Sequence, residues 1–106
     1  MRMAKFESST LTWLSQRNAE NWVIENSKLI EKLKEASRTL IDVCKFLRNQ
    51  GYETKLSRMK ILKKGEIYGI VQRTFTYPVH YAKIELTELG LELHNMMLKL
   101  GKITDT

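Results

Sequence analysis

The sequence predicts a small α+β chain, mostly α, and three observations predict it. Apolar residues recur at helical spacing through residues 9–36, 38–64 and 88–101. Between the last two stretches, over 67–87, the pattern changes to alternating β-branched and aromatic residues around Pro78, the only proline. Hydroxyl residues and glycines stand at the joins, where helices begin and end.

In order along the chain, Ser8, Ser9 or Thr10 supplies an N-cap for a short helix carrying Leu11, Trp13 and Leu14. A longer helix from Ala19 to about Ala36 is predicted by Trp22 or Val23, Asn26, Leu29, Ile30 and Leu33, with Lys28, Lys32 and Glu35 facing away. Thr39 followed by Asp42 resembles a capping box, so a new helix is expected there. Its Leu40, Val43, Cys44 and Leu47 share one face, and Gly51 ends it. The next helix, Thr54 to Lys64, is expected to bury a stripe of Tyr52, Leu56, Met59 and Leu62 and to stop at Gly65. Two antiparallel strands then meet at Pro78, the second alternating Ala82, Ile84 and Leu86 against Tyr81, Lys83 and Glu85. Thr87 caps a final helix whose Leu89, Leu93, Met96, Met97 and Leu100 form one stripe.

At 106 residues the chain is one domain's worth, near the size where association adds stability, and a homodimer is expected. No apolar run approaches a membrane span, and "MRMAKFESST" lacks the apolar stretch of a secretory signal, so a cytoplasmic protein with no membrane partner is expected. The single cysteine, Cys44, agrees with a reducing compartment. No pair of His80, His94 and Cys44 has metal-ligand spacing, and no phosphate loop, dinucleotide fingerprint or nucleophile elbow is present. The expectation is therefore a protein that is not an enzyme and takes no metal or cofactor. A net charge of +6 makes an anionic partner plausible. The charge is not a basic tail, because each half carries nine cations and six anions. It concentrates locally: Lys55, Arg58, Lys60, Lys63 and Lys64 fall within ten residues and meet no acid there.

Helices, a two-stranded wing and a closing helix make up the order of a winged helix-turn-helix domain, with N-terminal helices over 9–36, the helix-turn-helix over 38–64, the wing over 67–87 and a C-terminal dimerisation helix over 88–101. "GIVQRTFTYPVHYAKIELTELGLELHNMM", residues 69–97, resembles the wing and following helix of MarR-type and HxlR-type transcription regulators. Gly69, Ile70, Val71 and Arg73 match the opening of that pattern, Pro78 lies near the tip, and Leu86, Thr87, Glu88, Leu89 and Gly90 match its Leu-Thr-x-x-Gly closure. The resemblance implies a regulator that binds double-stranded DNA.

A major groove admits one α-helix that exposes polar and cationic side chains while its other face is held in the core. On this reading Arg58 contacts guanine, Thr54 and Ser57 meet base edges or phosphate, Lys55, Lys60 and Lys64 meet flanking phosphates, and Ile61 meets a thymine methyl. Arg73, Tyr77, His80 and Lys83 reach the adjacent minor groove or backbone from the wing. Arg38 and Thr39 bind phosphate at the start of the preceding helix. Leu11, Trp13, Leu14, Trp22, Leu89, Leu93, Met96, Met97 and Leu100 form the dimer interface. The expected function is a homodimeric, sequence-specific regulator acting as a repressor, with no small-molecule effector indicated. Two alternatives use the same features: an architectural DNA binder without sequence preference, and a winged-helix protein-interaction module. Lysines on a helix are also commonly a solvated face.

Overall fold

A computed structural model describes residues 15–104. Its architecture is α+β and mostly helical. A first helix over residues 15–25 (α1) is followed by α2 (Ser27–Glu35), the short strand β1 (Arg38–Thr39), α3 (Leu40–Asn49), α4 (Lys55–Ile67), β2 (Val71–Thr74), a 3₁₀ turn (Val79–Tyr81), β3 (Lys83–Leu86) and α5 (Glu88–Lys99). The strands form one antiparallel sheet in the order β1-β3-β2.

The helical stripe of α1 and α2 is buried as expected: Trp22, Val23, Asn26, Leu29, Ile30 and Leu33 all lie inside. The helix expected from Ala19 to Ala36 already includes residues 15–18, and it is interrupted at Asn26. There the side-chain amide and the backbone N–H both donate to the Trp22 carbonyl, at 3.0 and 2.9 Å. A local side-chain bond of this kind competes with the helix ladder. The two-stranded wing also needs correction, because β1 adds a third strand through Arg38 opposite Ile84 and Thr39 opposite Lys83. Two residues are too few for a period of two to show in a sequence. Paired strands occupy only part of 67–87, since α4 runs to Ile67 and residues 75–82 join the strands through a turn that contains Pro78 and the 3₁₀ segment.

Gly65 does not stop α4. It lies buried within the helix, where an added Cβ would stand 2.7 Å from the Trp22 ring and 3.1 Å from Val71. Its role is close packing, and Trp22 is fixed there by an indole N–H donated to the Ile61 carbonyl at 3.0 Å. Gly69 ends the helix instead, at φ +75°. Its N–H reaches the Glu66 carbonyl and that of Ile70 reaches Gly65, which satisfies the last open carbonyls.

The buried face of α4 also differs from the expected stripe. Leu62 is fully buried, and Met59, Ile61 and Tyr52 are partly so, whereas Leu56 is 67% exposed. The turn after Gly51 rotates the helix so that Gly65, Leu62 and Arg58 face inward. Burial of Leu62 contributes on the order of 2 kcal/mol, and Leu56 forgoes most of such a gain.

The Leu-Thr-x-x-Gly segment joins β3 to α5 for a definable reason. The Thr87 hydroxyl accepts the Gly90 N–H at 3.0 Å, capping α5, and donates toward the Gly69 and Ile70 carbonyls. Its backbone N–H also donates to Ile70 at 2.9 Å. One threonine thereby ties the start of β2 to the start of α5. Ala82 and Ile84 of the hairpin, with Val43, Leu47, Leu93 and Met97, complete the core. No helix of the described residues is long and apolar enough to cross a membrane.

Candidate nucleic-acid interface

α3 and α4 are joined by residues 50–54, a turn made possible by Gly51 at φ +105°. Thr54 caps α4: its hydroxyl accepts the Ser57 N–H at 3.1 Å, while the Ser57 hydroxyl donates to the Thr54 carbonyl at 2.8 Å. These two hydroxyls are committed to the helix end rather than projected to a ligand. From that start the outward face carries Leu56, Lys60, Lys63, Lys64 and Ile67, all exposed, while Lys55 is exposed at the helix start on the side of the hairpin turn. None of the four lysines forms an ion pair within the described residues. Uncompensated cations on one helix face attract a polyanion.

Arg58 is not on that face. Its guanidinium turns back and donates to the Tyr52 and Glu53 carbonyls at 2.8 and 2.7 Å, tying the turn to the helix. The inward rotation of α4 that exposes Leu56 withdraws Arg58 from the expected base contact. Arg58→Ala is accordingly expected to cost about 1 to 2 kcal/mol of stability, because it leaves carbonyls without their charged donor. The check is urea denaturation beside a DNA-selection profile, and altered base preference with unchanged stability would contradict this assignment. Ile61 is likewise half-buried against the core and not presented to a thymine methyl.

The hairpin redistributes its expected contacts in the same way. Arg73 is ion-paired with Glu66 of α4 and lies 5.4 Å from the Phe75 ring centroid, so it braces the hairpin against the helix. Tyr77 stands fully out at the tip, His80 is exposed beside Tyr81 with ring centroids 4.4 Å apart, and Lys83 reaches Glu85 at 3.7 Å. Arg38 lies in β1, not at the start of a helix, and donates to the Glu35 carboxylate at 3.0 Å and the Lys32 carbonyl at 3.4 Å. The Thr39 hydroxyl is occupied by the Asp42 N–H at 3.3 Å, the cap expected of it. Both side chains therefore hold local structure in this state, Arg38 through an exposed ion pair and Thr39 through its cap.

Between α3, α4 and the hairpin turn lies a cleft of about 550 Å³, with Leu40, Ile41, Met59 and Val79 on its apolar side, Lys55, Arg58 and Arg73 as its cationic residues, and His80 beside them. No acidic residue lines it. The side chains the sequence reading missed are Lys63, Leu56 and Ile67 on α4, and Phe75, Val79 and Tyr81 on the hairpin. A helical wheel centred on Lys60 instead of Arg58 would have grouped the first three, since they lie three, four and seven residues from it.

Of the expected dimer residues, Leu89, Met96 and Leu100 are exposed along one line of α5. Trp22, Leu93 and Met97 are buried inside the protomer and are not available to a second copy. The single stripe expected on α5 is split into a buried and an exposed flank, because a helix packed on a core hides one side of it. Leu11, Trp13 and Leu14 lie outside the described residues. No family profile, curated protein or solved structure matches the chain.

Proposed function

We propose that the protein is a winged helix-turn-helix regulator that binds double-stranded DNA as a homodimer and represses by occupying a promoter. The observation that carries the proposal is the acid-free outward face of α4, with Lys60, Lys63 and Lys64 exposed and in no ion pair within the described residues, and Lys55 likewise exposed and unpaired at the helix start. The order α2, β1, α3, α4, β2, β3 and the antiparallel β1-β3-β2 sheet support the winged-helix reading. In it, α4 enters the major groove and the β2–β3 hairpin lies along the neighbouring backbone. Leu89, Met96 and Leu100 support pairing of two copies through α5.

A second reading, DNA binding without sequence preference, is favoured by one specific observation. Arg58 is tied to carbonyls, and the remaining cations on α4 are lysines, which suit phosphates better than bidentate base edges. Selection from random oligonucleotides separates the two readings: a regulator enriches a near-palindromic consensus, a backbone binder enriches none. A titration across salt concentrations tests their common ground. With three to five phosphates neutralised per protomer, log affinity of the dimer falls against log salt with a slope of roughly −5 to −9. A nearly flat slope removes both.

A further inference from the structure

The hairpin tip carries a surface that contact with a paired duplex leaves unexplained. Phe75, Tyr77 and Tyr81 are 69%, 95% and 55% exposed, Val79 is exposed between the tyrosines, and the His80 ring lies against Tyr81. Exposed aromatic rings at this density mark a binding surface rather than a solvated turn. The Arg73 guanidinium, near one side of the Phe75 ring, helps hold it outward. Behind the tip, the cleft toward α4 contributes Lys55 and His80 and no carboxylate.

We propose that this tip stacks on unpaired DNA bases, so that the preferred substrate is a duplex containing a single-stranded segment beside the site engaged by α4. The inference rests on the DNA-binding reading above and specifies its substrate. In paired DNA the base faces are covered by their neighbours and only edges are open in the grooves. Unpaired bases present whole faces, which aromatic side chains accept without regard to sequence, while adjoining cations follow the backbone. Charge argues against a second copy of this chain as the occupant. A symmetric contact through the tip would bring together two clefts that each carry Lys55, Arg58 and Arg73 and no lining carboxylate.

The test is a fluorescence-anisotropy titration of the full chain against a forked duplex and a fully paired duplex of the same sequence and length. The fork is expected to bind about tenfold tighter or more. A 2-aminopurine at the first unpaired position is expected to change fluorescence on binding. Tyr77→Ala removes most of the fork preference and that signal, whereas Tyr77→Phe, which keeps the ring, retains both. Lys60→Ala weakens both DNAs and leaves their ratio unchanged. Equal affinity of the wild-type chain for fork and duplex overturns the proposal, as does a ratio insensitive to Tyr77→Ala. A fall in solution mass on Tyr77→Ala with the ratio intact assigns the tip to self-association and overturns it too. Salt-dependent binding with no fork preference removes this inference alone, and absence of binding to either DNA removes the DNA-binding reading with it.

Discussion

Gly90→Ala is expected to lower the stability of the protein by about 3 kcal/mol or more, a shift in melting temperature of roughly 12 to 24 °C. A methyl group there would stand 2.3 Å from the Ile70 carbonyl oxygen, 2.8 Å from a Leu86 methyl and 3.0 Å from an Ile70 methyl. The nearest atom is backbone, and it is held by the Thr87 N–H and hydroxyl. Ile70 itself is fully buried, so the carbonyl has no open space into which to retreat. Relief requires the start of α5 to lift from the start of β2, which breaks the Thr87 bonds that join hairpin to helix. Alanine also raises intrinsic helix propensity over glycine by about 1 kcal/mol, which offsets only part of the loss. Thermal and urea denaturation check the result, and an unchanged or higher midpoint would refute the contact. Gly51 makes a useful comparison: an added Cβ meets nothing within 4 Å, so its replacement strains only the positive φ.

The triple substitution Lys60→Glu, Lys63→Glu, Lys64→Glu is expected to reduce duplex affinity by about three orders of magnitude or more at moderate salt. Each protomer would lose three cations and gain three anions on the face proposed to enter the groove. These side chains are exposed and form no ion pair within the described residues, so the fold has little invested in them. Surface substitutions of this kind usually alter stability by about 0.5 kcal/mol or less each. The informative comparison sets anisotropy titrations beside circular dichroism and melting. Lost binding with retained helicity and melting supports α4 as the DNA-contacting helix. Retained affinity would move the interface elsewhere. Arg58→Ala serves as the opposite case, since it is expected to affect stability more than affinity.

Thr39 and Thr87 illustrate what local chemistry makes legible. Each lies ahead of an apolar helical pattern, and each caps a helix by accepting a backbone N–H three residues on. Gly51 after α3 belongs with them, as does the alternation that buries Ala82 just before β3 and Ile84 within it. All of these signals depend on near neighbours along the chain. Gly65 was misread for a complementary reason: a glycine that terminates a helix and one that admits an indole ring are the same letter. The difference lies in Trp22, more than forty positions away.

By itself, the sequence determined the mostly helical α+β class, the starts of α3, α4 and α5, the hairpin and the acid-free cationic segment, because periodicity, capping and charge spacing are properties of contiguous residues. Only the tertiary structure decided which way α4 faces. Its apolar residues are spread around the helix, so periodicity alone does not choose an inner side, and the choice falls to Trp22 packing on Gly65 and to Arg58 closing the turn. That rotation places Leu56 and Ile67 outside with the lysines and turns Arg58 inward. The third strand was decided in the same way, since two residues become a strand only when β3 lies beside them.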